Sequence, residues 1–183
     1  TAGNQRSVVA LDAATGETVW RTSYDATFDM MPATRVHGPG PKSTPAYADG
    51  RLFTLGISGI VTAFEAESGR QLWQRPAGSV APLYHTGQSP LVDGEQVVLH
   101  VGGQDAGALT AFDVATGEAR WSWDGDGPAY GSPIVVELEG ARQVITFTQE
   151  NLVGVSVETG QLLWRRPYTT PSSTTAQTPH LYQ

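Results

Sequence analysis

The sequence predicts an all-β chain, a partial β-propeller of four-stranded antiparallel blades, about three and a half of them. Three observations predict it. One motif occurs four times, first as Ala10-Leu11-Asp12-Ala13-Ala14-Thr15-Gly16-Glu17-Thr18-Val19-Trp20 and then in tracts ending at Trp73, Trp121 and Trp164. Each copy has Gly four residues before Trp (Gly16, Gly69, Gly117, Gly160), and the Trp-to-Trp intervals are 53, 48 and 43 residues. That period is the length of one propeller blade. A Ser/Thr-Pro pair recurs independently, with Pro at 45, 90, 133 and 179, at intervals of 45, 43 and 46. Finally, 21 glycines and 12 prolines in 183 residues suit short strands joined by tight turns.

Residues 1–24 read as the second half of a blade. Ser7 to Asp12 and Glu17 to Ser23 are its two strands, and Thr15-Gly16 turns between them because glycine reaches positive φ without steric cost. Residues 25–42 form an inter-blade loop in which Pro32, Pro39 and Pro41 forbid a regular element. Residues 43–79 form the first complete blade: Ser43-Thr44-Pro45 opens it, Asp49-Gly50 is a hairpin turn, and Arg51–Ile57, Gly59–Ala66 and Gln71–Arg75 are strands. Residues 88–125 repeat this with Ser89-Pro90, a turn at Asp93-Gly94, and strands Gln96–Val101, Gly107–Val114 and Ala119–Trp123. Residues 131–168 repeat it with Ser132-Pro133, Glu139-Gly140, and strands Arg142–Thr148, Asn151–Val157 and Gln161–Arg166. Thr178-Pro179 opens residues 178–183 as the first strand of a further blade, and all belong to one propeller domain. Closed propellers use roughly four to eight blades. The expectation is therefore a stretch of a larger propeller with two ragged, self-associating edges; the alternative is closure by pairing with another chain.

Net charge is -7, with one lysine, Lys42, among eleven basic residues. An acidic chain without a basic run is a poor ligand for nucleic acid or anionic membrane. There is no cysteine, so no disulfide, thiol nucleophile or thiolate metal site exists. No apolar run approaches the ~18 residues of a membrane helix.

The pattern Ala-x-Asp-x-x-Thr-Gly-x-x-x-Trp resembles the tryptophan-docking motif of pyrroloquinoline-quinone-type propeller repeats. Ala10–Trp20 and Ala111–Trp121 match it fully; Ala63–Trp73 substitutes Glu65 and Ser68, and the copy ending at Trp164 substitutes Gly154 and Ser156. The stretch Gly38-Pro39-Gly40-Pro41-Lys42-Ser43-Thr44-Pro45 is similar to segments of non-enzymatic bacterial members, such as the outer-membrane assembly lipoprotein type. The resemblance implies that each Trp stacks on the Gly peptide of the next blade while Asp and Thr close the turn. It also implies a non-catalytic scaffold or binding module, periplasmic or exported, with no cofactor. The alternative it implies is a quinone-dependent dehydrogenase holding pyrroloquinoline quinone and calcium, whose remaining catalytic residues lie outside this stretch. In that case Arg35 or Lys42 would take the cation role beside the quinone, and Asp29 or Asp105 the base. No family motif anchors those four, and the disulfide common in such enzymes cannot form.

Candidate binding residues sit in the loops that enter each first strand: Arg35, His37 and Lys42, then Tyr84, His85 and Gln88, then Tyr130. In a propeller the first strand lines the channel, so these positions are expected to converge as a cationic, aromatic mouth for a protein partner or small ligand. The bland alternative is that they cap blade ends by hydrogen bonding. Gly102-Gly103-Gln104-Asp105-Ala106-Gly107 precedes a strand and reads as a hairpin turn, not a phosphate loop. Asp124-Gly125-Asp126-Gly127 lacks EF-hand spacing and reads as an inter-blade turn. His37, His85, His100 and His180 show no metal-ligand spacing, and His100 is expected to point out of its strand.

Overall fold

Among the described residues, fourteen strands and one 3-10 turn follow one another in chain order. A computed structural model describes residues 5–27, 32–38, 40–171 and 174–182, without the side chains of Ala33, Arg35 and His37. β1 (Gln5–Leu11) and β2 (Thr18–Asp25) form a hairpin. The 3-10 turn Pro32–His37 follows. Three four-stranded meanders come next: β3 (Ala46–Ala48), β4 (Arg51–Leu55), β5 (Val61–Glu65), β6 (Gln71–Arg75); β7 (Leu91–Asp93), β8 (Gln96–Val101), β9 (Ala108–Asp113), β10 (Ala119–Trp123); and β11 (Ile134–Leu138), β12 (Ala141–Phe147), β13 (Asn151–Ser156), β14 (Leu162–Pro167). Every neighbouring pair is antiparallel.

The turns obey their sequences. Asp49 and Gly50 have φ of 45° and 75°, and Glu139 and Gly140 of 51° and 77°. Two positive φ values in a two-residue loop are the type I′ requirement. The middle blade differs by one residue: Asp93 pairs with Gln96, so the loop is Gly94-Glu95 rather than Asp93-Gly94. There only Gly94 is positive, at 57°, as a type II′ turn needs.

The β7–β10 sheet is buried on both faces against its neighbours. Along β8, Val97 and Leu99 pack with Phe53, Leu55, Val61, Ala63, Trp73 and Phe112 of one inter-blade core. Val98, pointing the other way, packs with Leu109, Ala111, Trp121, Val144, Val153 and Val155 of the next. Alternating side chains of one strand thus feed two cores, which explains its nearly continuous apolar run.

The Trp–Gly pairs are the seams. A Cβ added at Gly69 would lie 2.4 Å from Trp20, one at Gly117 2.5 Å from Trp73, and one at Gly160 2.7 Å from Trp121. Their indole N–H groups donate to the carbonyls of Ala66, Val114 and Val157 at 2.9, 3.0 and 2.8 Å. In the turn beneath, Asp12 Oδ1 accepts from Ala14 N, Thr15 N and the Thr15 hydroxyl, and Asp113 does the same for Ala115 and Thr116. Glu65 substitutes by accepting from Ser68 and Arg70. Trp164 departs from the expected pattern. Its N–H donates to Gln143 Oε1 of its own sheet at 2.6 Å, and its ring lies over Gly154.

The Ser/Thr-Pro marker also has a physical role. Thr44 N donates to Ser89 Oγ at 2.9 Å, Ser89 N to Ser132 Oγ at 2.9 Å, and Ser132 N to Thr178 Oγ1 at 3.2 Å. Proline fixes the chain just after each link and cannot itself donate, so the preceding residue carries the bond. Residues 178–182 form no strand, contrary to expectation, because no second strand pairs with them among the described residues. They nevertheless sit where the next blade would open, held by this hydroxyl ladder. Ser132→Ala removes one acceptor and should cost about 1 kcal/mol in chemical denaturation; no change would mean the link is incidental.

Candidate functional site

The loops at one end of the blades are laced together. Lys42 Nζ donates to the Tyr84 carbonyl at 3.0 Å, and Tyr84 N donates to the Tyr130 hydroxyl at 3.0 Å. The Tyr84 and Tyr130 rings are tilted, 6.0 Å apart. Gln104 Nε2 donates to the same hydroxyl at 3.1 Å, while its Oε1 accepts from Leu83 N at 2.7 Å. Tyr130 therefore accepts two bonds, and burial raises its pKa above the ordinary phenol value. His85 is buried in the same loop with φ of 65°, in the left-handed region unusual for a residue with a side chain. Burial first, and the Lys42 charge second, push its pKa down, so the imidazole is neutral at pH 7.

Lys42, Tyr84, His85 and Tyr130 thus lie together in these loops. Gln88 does not. It is buried inside its blade, with Nε2 donating to the His100 carbonyl at 3.1 Å and Oε1 accepting from His100 N at 3.0 Å. The side chains of Arg35 and His37, and all of Asp29, lie outside the described residues. Gln104 was missed because a glycine-rich turn draws attention to its backbone. The available signal was Gln149, which occupies the corresponding loop of the next blade. Gln149 pairs doubly with Asp105, accepting from its N–H at 3.0 Å and donating to its carboxylate at 2.9 Å.

His100 does not point outward. It is 2% exposed, and its Nε2 lies 3.3 Å from the Asp126 carbonyl. Desolvation lowers its pKa to about 4, against 6.5 in an open chain. The unfolded state therefore binds the extra proton between those values, so stability is complete above pH ~6.5 and falls on acidification toward pH 4. At ~1.4 kcal/mol per unit the loss attributable to His100 is about 3 kcal/mol. Denaturation of the wild type and His100→Gln at pH 7 and pH 4.5 should show a markedly smaller acid loss in the variant.

Asp105, Asp124, Asp126 and Glu150 line an open cavity of 440 Å³ between the last two sheets. Two of its carboxylates already have internal work: Asp105 Oδ1 accepts from Gln149 Nε2, and Asp126 Oδ2 accepts from Thr148 Oγ1, Glu150 N and Asn151 Nδ2. Among the described residues no three His, Cys, Asp or Glu side chains gather to hold a metal ion. Asp105 bonds Gln149, and Lys42 bonds a loop carbonyl. The described residues do not assemble the base, metal and cation set that a quinone with calcium needs. On the outer side of the laced loops, Val80 and Leu83 are 46% and 39% exposed, and Val36 of the 3-10 turn is 84% exposed.

Comparison with known proteins gives a consistent picture. The family described as outer membrane protein assembly factor BamB matches residues 4–179. A protein of that description from Burkholderia pseudomallei (strain K96243) is 31% identical over 117 residues, 64% of this chain and 28% of its own length. The polyvinylalcohol dehydrogenase of Sphingopyxis sp. (strain 113P3) is 30% identical over 134 residues, 66% of this chain and 20% of its own. The solved structure of BamB from Moraxella catarrhalis superimposes with a TM-score of 0.61 over 91% of this chain and 47% of that one, at 18% identity, a likeness of fold. The matched stretches are under a third of the length of these curated relatives.

Proposed function

The chain belongs to the outer membrane protein assembly factor BamB family, and from that premise we propose that it is a non-catalytic β-propeller module that binds a protein partner in the bacterial envelope. Its place there is periplasmic or exported. The observation that supports this reading is the lacing of the loop end. The polar groups that a catalytic site would aim at a substrate are spent on other loops: Lys42 on Tyr84, Tyr84 on Tyr130, and Gln104 on Leu83 and Tyr130. What faces outward is a stiff frame carrying Val80 and Leu83. Rigid loops that present apolar side chains suit protein contact, because little entropy is lost on docking.

The test is a photo-crosslinking residue at position 83 in cells that express the protein. It should capture a component of the β-barrel assembly machinery, and Val80→Asp with Leu83→Asp should abolish the capture. In parallel, the purified chain is given calcium and pyrroloquinoline quinone and should neither hold a chromophore nor reduce a dye. A bound chromophore with dye reduction would establish the dehydrogenase reading instead. Absence of any envelope crosslink would sink the binding face.

A further inference from the structure

The tract Asp124-Gly125-Asp126-Gly127 holds two of the four Asp-Gly steps in the sequence, the others being Asp49-Gly50 and Asp93-Gly94. An Asp-Gly step has an inherent chemistry. The backbone nitrogen of the glycine can attack the carboxyl carbon of the aspartate before it, and glycine hinders that attack least because it has no side chain. In a folded chain the reaction is governed by the freedom of the carboxyl group and of the peptide that follows it.

Three of the four steps are held. Asp49 and Gly50 form a two-residue turn with φ of 45° and 75° between the paired residues Ala48 and Arg51, and the Gly50 carbonyl accepts from Ala66 N at 2.8 Å. Asp93 lies in β7, paired with Gln96, and its carboxylate receives the Arg142 guanidinium. Asp126 Oδ2 accepts from three donors, and the Gly127 carbonyl accepts from Gln149 N at 2.8 Å. Asp124 is different. It directly follows β10, and both it and Gly125 are exposed. Among the described residues no hydrogen bond engages its carboxylate or the Gly125 N–H. The structure also dictates the glycine. A Cβ at position 125 would lie 2.5 Å from Trp123 Cζ2 and 2.9 Å from its Nε1, so the indole excludes a side chain there. The residue that fits beside the indole is thus the one whose amide is least hindered.

We propose that Asp124 is a site of spontaneous isomerisation to isoaspartate. Asp124 reacts as the neutral carboxylic acid. The Gly125 nitrogen bonds to Asp124 Cγ and gives up its proton, and the Cγ hydroxyl leaves as water, closing a succinimide ring. Water then adds to one of the ring carbonyls. Breaking the bond from nitrogen to Cγ restores aspartate. Breaking the bond from nitrogen to the main-chain carbonyl carbon leaves isoaspartate, with the chain now running through Cβ and Cγ. The net change is an isomerisation that consumes neither oxidant nor cofactor. The added backbone carbon enters the loop just before the Asp126 clamp and the Pro128–Thr148 bridge, which fasten this loop to the β12–β13 turn.

The test ages the 183-residue chain at neutral pH in heavy-oxygen water, followed by digestion and mass spectrometry with electron-transfer fragmentation. Each ring opening incorporates one heavy oxygen, and the fragments distinguish isoaspartate from aspartate. Isoaspartate methyltransferase with labelled S-adenosylmethionine counts the isoaspartyl groups independently. Asp124 should turn over roughly ten-fold or more faster than Asp49, Asp93 or Asp126, a difference of about 1.4 kcal/mol in reaching the ring-closing geometry. Asp124→Glu, which keeps the charge but closes a larger ring far more slowly, should lose most of the methyl acceptance. In denaturant all four steps should react at similar rates, because the fold is what separates them. An even distribution in the native chain, a maximum at another step, or methyl acceptance unchanged in Asp124→Glu would overturn the proposal. So would a preference for Asp124 that persists in denaturant, since its cause would then lie outside the fold.

Discussion

Trp121→Ala should lower the unfolding free energy by about 3–5 kcal/mol, read as a shift of the denaturation midpoint at unchanged slope. Trp121 is 8% exposed, joins the core of Leu109, Val144, Val153 and Val155, and ties that core to the next sheet through the Val157 carbonyl. Removing it leaves a cavity that two sheets, each pinned by its own ladder, cannot collapse to fill. It also leaves Gly160 without a covering ring. Trp121→Phe should recover most of the packing and lose only the hydrogen bond, about 1 kcal/mol. Trp20→Ala should cost less than Trp121→Ala, because Trp20 is only half-buried. Equal losses at positions 20 and 121 would show that the seam does not work through burial.

Gly160→Ala is the second large effect, expected at about 2–4 kcal/mol in the same measurement. Two costs add. The backbone is left-handed, with φ of 71°, and the new methyl would meet Trp121 at 2.7 Å. The indole cannot retreat, since its N–H is held at Val157 and its far side is packed. Gly140→Ala isolates the first cost: φ is 77°, but nothing lies within 4 Å. That variant should lose only about 1–2 kcal/mol. If the two alanines cost the same, the ring contact contributes nothing and the Gly in the motif is there for the turn alone.

Much of the fold was legible because its determinants are short-range. Gln71–Arg75, Gln96–Val101 and Ala119–Trp123 are strands at the expected bounds, since apolar runs between Gly-containing turns leave the backbone little else to do. The loops that enter the first strands were legible in part. Tyr84 and Tyr130 met because both precede first strands of adjacent blades. Gln88 lies close to Tyr84 in sequence, yet the strand it enters turns it inward to bridge the backbone of His100. Local pattern places a residue on an element; it does not say which side of the blade receives the side chain.

By itself the sequence determined the repeat, the positions of its Trp and Gly residues and most of the turns, because each copy of the motif is written within about ten residues. Only the tertiary structure decided that Thr44, Ser89, Ser132 and Thr178 form one hydroxyl ladder, that His100 is buried and neutral, that Gln104 laces the loop end, and that Trp164 folds onto its own sheet. The hydroxyl ladder joins residues 43 to 46 positions apart through the packing angle between blades. No local pattern encodes that angle; it emerges only when the sheets bury their faces against each other.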